Sequence, residues 1–269
     1  MGDSYTRLVT SLLALSVGNS RTHIGRFDDL GAGLSASEQI ENAHADLIVE
    51  RVAHHFGTLD TDDAVVALAS VNDRIADALV ARLEGRLATT IVRIGRDLSA
   101  PISTRLDPGV KTGVDRLLCA AAAYRTLKQA CVVIDCGTAI TIDFVDGEGT
   151  FHGGAIAPGA QLQLDALHTR TAALPEVRFR EPDAEPVGRN TEQAMLQGVV
   201  HGVRGLVQRL VERYAEAQGA FPIVVATGGD AQTLLQDTEL VDRIVPDLVL
   251  MGIAAAVGSD LVDDAACDE

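Results

Sequence analysis

The sequence has few basic residues for its length. Among its 269 residues, 22 are Lys or Arg and 38 are Asp or Glu, which gives a formal net charge of −16 at pH 7. A surface that binds nucleic acid needs an excess of positive charge to displace the counterions of the phosphates. The composition therefore predicts that nucleic acid is not a partner of this protein.

Long apolar runs and metal-binding cysteine patterns are also lacking. No run of about 18 residues is both apolar and free of charge, so the sequence predicts no membrane partner and no membrane span. The apolar segment after Arg7 superficially resembles a signal peptide, but the Gly-Asn turn that follows it favours a buried strand. The cysteines show neither a CxxC nor a His-spaced pattern, which argues against a zinc or redox site. We interpret them as buried thiols of a cytoplasmic protein; they are Cys119, Cys131, Cys136 and Cys267.

Two distant segments share one pattern, in which an apolar strand leads through a glycine turn into a second strand. They are LALSVGNSRTHIGRFD at residues 13–28 and VVIDCGTAITIDFVD at residues 132–146. When Gly18 is aligned with Gly137, Asn19 stands opposite Thr138, but Ser16 stands opposite Asp135. The repeat predicts two related halves, residues 1–115 and residues 116–269.

The rest of the chain alternates between strand and helix patterns. The segment AVVALAS at residues 64–70 is a continuous apolar run, typical of a parallel strand that is buried on both faces. Residues 35–57 place apolar side chains at near-helical spacing, which predicts an amphipathic helix capped by Ser35 or Ser37. Further helices are predicted from Val114 and over residues 191–217. This alternation indicates an α/β fold with mixed sheets flanked by helices.

Glycine turns follow apolar strands in SVGNS, DCGTA and ATGGD. Glycine allows main-chain N–H groups to approach an anion closely, and the hydroxyls of Ser20, Thr138 and Thr141 can donate to phosphate oxygens. A single turn of this kind is usually only a turn. Together, in a duplicated chain, they predict a nucleotide held in a cleft between the halves.

An ordered series of motifs makes the resemblance specific. It comprises VGNS from Val17, G-x-D-R at residues 113–116, DCGTA at 135–139, GGAIAPG at 153–159, TAALP at 171–175, G-x-N-T at 188–191 and ATGG at 226–229. In this order they resemble the type III pantothenate kinases of the actin-like, sugar-kinase and Hsp70 ATPase superfamily. The resemblance implies two duplicated RNase H-like halves, and transfer of the ATP γ-phosphate to pantothenate, the first step towards coenzyme A.

The resemblance also implies roles for individual residues. Asp115 resembles the catalytic base of the family, Gly113 and Arg116 would bind substrate, and Thr191 would close the pantothenate pocket of the neighbouring subunit in a homodimer. ATP, Mg²⁺ and a monovalent cation, K⁺ or NH₄⁺, are the implied cofactors. Asp135 would lie near the metal or the monovalent cation. The remaining implied residues bind the ATP phosphates or the adenosine; they are Gly18, Asn19, Ser20, Gly137, Thr138, Gly228 and Gly229.

Ser16 departs from the family pattern, which has an aspartate that positions magnesium. Serine attracts a dication much less strongly than a carboxylate does. The chain could be a weaker kinase, a kinase with a relocated metal ligand, or a regulatory binding protein that has lost catalysis. Because Asp115, Arg116 and Asp135 are all present, we favour an enzyme.

Two alternatives concern the chemistry itself. From the residues alone, the carboxylate of Asp115 could simply cap the helix that follows it. A kinase or ATPase of the same superfamily could also act on another small molecule, although G-x-D-R together with GGAIAPG and G-x-N-T counts against this. His168 is a lone histidine on a predicted helix, which is more often a surface or capping residue than a ligand, so we leave it out of the predicted site.

Overall fold

The computed structural model of the chain describes residues 11–59 and 64–266, and it describes side chains up to residue 259. Cys267 lies outside the described residues. The strands are β1 (Ser11–Val17), β2 (Arg21–Phe27), β3 (Ala36–Glu41), β4 (Ala64–Ser70), β5 (Ile91–Ile94), β6 (Ser103–Thr104), β7 (Cys131–Cys136), β8 (Ala139–Val145), β9 (Thr150–Pro158), β10 (Ile223–Thr227) and β11 (Arg243–Ile244). The α-helices are α1 (Ala45–Phe56), α2 (Asp73–Leu87), α3 (Val114–Leu127), α4 (Ala160–Arg170), α5 (Thr191–Gln218), α6 (Ala231–Leu235) and α7 (Leu248–Ala266).

The strands form two mixed sheets with the same arrangement. The first sheet has the order β3-β2-β1-β4-β5, and the second has the order β11-β10-β7-β8-β9-β6. In each sheet an antiparallel meander (β1-β2-β3 or β7-β8-β9) is extended on its other side by parallel strands (β4 and β5, or β10 and β11). The predicted α/β fold and the predicted duplication of its sheets are therefore confirmed.

The chain packs into two compact units that are not continuous in sequence. The first contains residues up to 102, residues 109–122 and residues from 247 onwards, and the second contains residues 103–108 and 123–246. Helix α3 thus begins in the first unit and ends in the second. The sequence-based halves, 1–115 and 116–269, differ from these units chiefly in α7, whose Leu250 and Ile253 share a buried cluster with Leu12 and Ala14 of β1.

In the first unit, apolar side chains cover both faces of the sheet. Leu13, Leu15 and Val17 of β1 belong to the cluster that contains the buried side chains of α1 and α2. Leu12 and Ala14 belong to the cluster on the opposite face, with residues of α3 and α7. This burial of alternate residues on opposite faces explains why β1 and β4 consist almost entirely of apolar residues.

In the second unit, the largest core lies on one face of the sheet. Alternate residues of β7 and β8, such as Val132 and Ile142, pack with buried side chains of α4, α5 and α6. Helix α5 begins after Asn190, whose side chain accepts a hydrogen bond from Gln193 N, and ends at Gly219 in the left-handed conformation. These start and stop residues define the long helix that the sequence predicts from residue 191.

The helix predicted over residues 35–57 is wrong in its first part. The first third of the predicted helix is strand β3, which pairs antiparallel with β2, and α1 begins only at Ala45. Ser35 and Ser37 therefore do not cap a helix at its start. The pairing satisfies main-chain groups at the edge of β2, and this tertiary contact outweighs the helical spacing of the apolar side chains.

The cysteines that the structure describes agree with the prediction of buried thiols. Cys119, Cys131 and Cys136 are free and buried. Burial raises the pKa of the Cys131 thiol to about 12. Among the described residues, no helix is long and apolar enough to cross a membrane.

Candidate active site

Residues 17–20 form the turn between β1 and β2, the first of the two turns that the sequence predicts to bind phosphate. We call it the first phosphate loop. Gly18 N donates to Arg21 O at 2.9 Å and closes the turn. Asn42 holds the loop from the other side, because its Nδ2 donates to Gly18 O at 2.9 Å and its main-chain N donates to Ser20 O at 2.9 Å. Asn19 and Ser20 are exposed, so a ligand can reach both residues.

The same loop is fixed to the end of β4. Val17 O accepts hydrogen bonds from Val71 N at 3.2 Å and from Ser70 Oγ at 3.3 Å. Asn72 Nδ2 donates to Asn19 Oδ1 at 3.3 Å, and Asn72 Oδ1 accepts from the N–H of the first turn of α2. Asn42, Ser70 and Asn72 are not among the residues that the sequence predicts for the site. Only Asn72 has a local signal, because it directly precedes a helix and is a favoured capping residue.

Ser16 lies on the face of the first sheet that α3 and α7 cover. Its neighbours Leu15 and Val17 point to the α1 and α2 side, so strand alternation turns Ser16 the other way. It pairs with His23 of β2, and His23 Nε2 lies 2.9 Å from an oxygen of Asp247, just before α7. Burial lowers the pKa of His23, although the Asp247 carboxylate acts in the opposite direction. A histidine and a carboxylate thus lie on the same face as Ser16, the residue that stands opposite Asp135 in the sequence repeat.

Asp115 lies in the first turn of α3 and is half-buried. Its Oδ1 accepts a hydrogen bond from Arg116 N at 2.8 Å, within the same turn of the helix. A Cβ on Gly113 would lie 2.6 Å from Asp115 Oδ1 and 3.5 Å from Val71 Cγ1, so a side chain at this position would displace the Asp115 carboxylate. Because Val71 directly follows β4, the G-x-D-R motif lies at the edge of the sheet where β1 and β4 end.

The second phosphate loop, residues 137–138, is the turn between β7 and β8. Gly137 N donates to Ala139 O at 3.1 Å, and Gly159 N donates to Thr138 O at 3.0 Å. A Cβ on Gly159 would lie 2.2 Å from Gly137 O, so only glycine allows the end of GGAIAPG to pack against this loop. The two loops differ in length. Val17 pairs with Thr22 across the first loop, whereas Cys136 pairs with Ile140 across the second. The first turn is therefore one residue longer than the second.

Asp135 lies against the ATGG turn. Gly228 has φ of +92°, and a Cβ on it would lie 2.4 Å from Asp135 Oδ1 and 2.6 Å from Cys136 O. Asp230 N also donates to Cys136 O at 3.0 Å. The structure therefore brings Asp135, the second phosphate loop and Gly228 together, with Gly229 next in the same turn.

Few protein side chains near these turns are available as ligands for a metal ion. Within residues 11–59 and 64–266, no group of three or more His, Cys, Asp or Glu side chains is arranged to hold a metal ion. Magnesium in nucleotide sites usually takes only one or two protein carboxylates, with the rest of its shell from phosphates and water. Asp135, beside a phosphate loop, fits such a site.

Thr191 belongs to a different part of the second unit. It begins α5, is exposed, and lines a cavity of about 760 Å³ between α4 and α5. The lining is mainly apolar and includes Leu162, Leu167 and Met195. His168 lies outside this lining, and its Nδ1 is 2.8 Å from Leu174 O, which suits its omission from the predicted site.

The chain is similar to proteins of known family. The sequence pattern of the family described as type III pantothenate kinase matches residues 12–213. A type III pantothenate kinase of Dehalococcoides mccartyi (strain CBDB1) is 32% identical over 254 residues, which cover 90% of this chain and 93% of the relative.

Solved structures share the fold at lower identity. A protein described as a Baf family transcriptional activator from Campylobacter jejuni has a TM-score of 0.58 at 19% identity, over 94% of this chain and 98% of that one. The activator of the 2-hydroxyisocaproyl-CoA dehydratase from Clostridium difficile, solved with bound ADPNP, has a TM-score of 0.51 at 12% identity, over 95% and 97% of the two chains. At these identities the likeness concerns the fold alone.

Proposed function

Because this chain belongs to the type III pantothenate kinase family, we propose that it transfers the γ-phosphate of ATP to pantothenate, which gives 4′-phosphopantothenate and ADP. The observation that carries the proposal is the repeated meander, which presents a glycine loop after β1 and again after β7. In the first unit, Asp115 lies at the sheet edge that carries the first loop. Phosphoryl transfer depends mainly on positioning and on stabilising charge, and glycine loops beside carboxylates suit both tasks.

Asp115 is the proposed general base. Its carboxylate takes the proton of the pantothenate hydroxyl as that oxygen bonds to the γ-phosphorus, and the bond between the γ-phosphorus and the ADP oxygen breaks. Oδ1 of Asp115 accepts from Arg116 N, and this contact is compatible with the role of a base. Gly113 and Arg116 are proposed to bind substrate, with the Arg116 guanidinium as a donor to an anionic group.

The glycine loops are the proposed phosphate-binding groups. Gly18, Asn19, Ser20, Gly137 and Thr138 would contact the ATP phosphates, and Gly228 and Gly229 would lie against the adenosine. Asp135 would hold Mg²⁺ or the monovalent cation, K⁺ or NH₄⁺, with Ser16 contributing through bound water. The bound cations supply positive charge that offsets the charge of the phosphates.

A homodimer is part of the proposal. Leu162 and Leu167 line the cavity beside Thr191 and are 46% and 37% exposed, so apolar surface there remains uncovered in the single chain. A second copy that covers this surface would bring Thr191 to the pantothenate pocket of its neighbour. The free buried thiols suit a cytoplasmic location, where disulfides are rare.

Turnover with Asp115→Asn tests the reaction and its base together. The parent should release ADP from ATP, Mg²⁺ and K⁺ only when pantothenate is present, and Asp115→Asn should lose about 100-fold or more in rate while it stays folded. Asp46→Asn is the matched control, because Asp46 is likewise the second residue of a helix, α1. Equal ADP release with and without pantothenate, or none with any of Mg²⁺, Mn²⁺, K⁺ and NH₄⁺, would contradict the function. A normal rate for Asp115→Asn would contradict only the role of the base.

Leu162→Glu tests the dimer. A charge in the apolar cavity should shift the protein to monomer in sedimentation and reduce pantothenate-dependent turnover, because burying an unpaired carboxylate is costly. Phe221→Glu is the control, since Phe221 is 74% exposed and lies outside the cavity lining. A fully active monomeric parent at assay concentration would refute the proposed assembly.

A further inference from the structure

Four oxygen atoms of the first phosphate loop accept hydrogen bonds from other parts of the chain. Val17 O accepts from the end of β4, Gly18 O and Ser20 O accept from Asn42, and Asn19 Oδ1 accepts from Asn72. The main-chain N–H of Asn19, by contrast, makes no hydrogen bond to any residue within the described ranges. Four acceptors of this loop are therefore held by the protein, and the main-chain N–H and O of Asn19, at its tip, make no hydrogen bond to a described residue.

We infer that the side chains of Asn42 and Asn72 are positioning groups that hold Gly18 O and Asn19 Oδ1 against the protein, so that a nucleotide phosphate meets the main-chain N–H of Asn19 at the tip of the loop. The inference rests on the proposed ATP-dependent function. A phosphate group is itself rich in acceptor oxygens, so a loop carbonyl that pointed at it would repel it. Holding these carbonyls in advance avoids a reorganisation when the nucleotide binds.

Both side chains need the two different ends of a carboxamide. Asn42 Nδ2 donates to Gly18 O, while its Oδ1 accepts from Thr22 Oγ1 at 2.8 Å. Asn72 Nδ2 donates to Asn19 Oδ1, while its Oδ1 accepts from Ile75 N at 3.3 Å and caps α2. A carbonyl can only accept and a main-chain N–H can only donate, so these partners fix the orientation of each amide. Aspartate or serine could replace only the acceptor half.

The second phosphate loop is held in another way. Its carbonyls accept from the main-chain donors Gly159 N and Asp230 N. In the first loop the side chains of Asn42 and Asn72 add to main-chain donors, Val71 N and Asn42 N. The two loops therefore share a sequence motif but are held by different hydrogen bonds. The first loop depends on side chains that can be replaced singly, which makes the inference testable.

Asn72→Ser is the decisive variant. Serine can still cap α2, so the melting temperature should stay within about 2 °C of the parent, but its short side chain loses the bond to Asn19. We expect the Kd for a non-hydrolysable ATP analogue and the KM for ATP to rise about 3- to 10-fold, the range expected for one hydrogen bond. The kcat at saturating ATP and the KM for pantothenate should change less than 2-fold, a split that a general loss of stability would not produce.

Further variants separate the outcomes. Asn72→Asp keeps the cap but adds a negative charge beside the loop, which repels the ATP phosphates, so its loss of ATP affinity should exceed that of Asn72→Ser. Asn42→Ala tests the other side of the loop. Ser35→Ala is the matched control, because Ser35 Oγ accepts from Asp28 N at 3.0 Å in the turn at the opposite end of β2; its nucleotide affinity should equal that of the parent.

Calorimetry of the parent with the analogue, without pantothenate, tests the ATP-dependent function separately from the positioning role of the asparagines. A parent that binds no nucleotide refutes the ATP-dependent function and this inference with it. If the parent binds and all the asparagine variants match its affinity, only the positioning role is refuted. Loss of affinity in Asn72→Ser and Asn42→Ala, with Ser35→Ala unchanged, supports it even if pantothenate is not the acceptor.

Discussion

Gly228→Ala adds only one methyl group but should lower the free energy of unfolding substantially. Gly228 has φ of +92°, a backbone conformation that costs a residue with a Cβ about 1–2 kcal/mol. The added Cβ would also lie 2.4 Å from Asp135 Oδ1 and 2.6 Å from Cys136 O. The carboxylate could rotate away, but the main-chain carbonyl belongs to the buried strand β7 and cannot. Overpacking of this kind adds about 1–3 kcal/mol, so the total loss in the free energy of unfolding should be about 2–5 kcal/mol.

Gly33→Ala separates the two contributions. Gly33 has φ of +93°, nearly the same as that of Gly228, but no atom lies within 4 Å of a Cβ added there. This control therefore carries the backbone cost without the steric clash. The difference between the two variants should equal the overpacking cost against Asp135 and Cys136, about 1–3 kcal/mol.

Urea unfolding of both variants measures these losses, and calorimetry with the ATP analogue reports on the site. Gly228→Ala should unfold at clearly lower urea and lose nucleotide affinity, because the displaced turn carries Asp135 and the second phosphate loop with it. Gly33→Ala should bind nucleotide like the parent. Equal losses of stability in the two variants would refute the argument, since they would show that the ATGG turn is not packed against Asp135.

The remaining predictions concern the face of the first sheet that carries Ser16. Ser16→Asp should lower the Mg²⁺ concentration that half-maximal activity requires, and should melt below the parent without metal but recover with Mg²⁺ and ATP, because a cation offsets the new charge; Ser16→Asn is the uncharged control. Identical Mg²⁺ dependence of activity and melting in all three proteins would mean that Ser16 has no part in the metal site. His23 has a pKa below its ordinary value of 6.5, so the unfolded chain binds more protons below that pH, and the free energy of unfolding should fall as the pH drops from 6.5 through the folded pKa. Urea unfolding between pH 8 and 5 should show a smaller fall for His23→Gln, and parallel curves for parent and variant would contradict the lowered pKa.

Local sequence features were sufficient where structure depends on local causes. The continuous apolar runs of β1, β4 and β7 indicate strands because both of their faces are buried, and this needs no knowledge of the neighbouring strand. The glycines at 18, 137 and 228 indicate turns because glycine tolerates the conformations and close contacts found there. The motif series also indicates the family, since its members occur in one order along the chain.

Residues 36–41 show where local reasoning stops. Their apolar spacing suits a helix, but β2 has an open edge and the chain pairs with it as β3. The helical pattern of residues 45–56 continues into this segment, so nothing in the sequence marks the change. Only the presence of the partner strand decides between helix and strand, because its main-chain hydrogen bonds replace those that a helix would supply.

The sequence thus indicated most of the strands, the glycine turns and the family, and it predicted the residues of the candidate site. The tertiary structure decided which distant residues support them. Asn42 and Asn72 reach the first phosphate loop from 24 and 53 residues away in the sequence, and α7, near the end of the chain, completes the core around β1. Such contacts follow from the order of strands in a sheet and from helices packed on its faces, and residues far apart in the sequence carry no local periodicity or spacing that would reveal them.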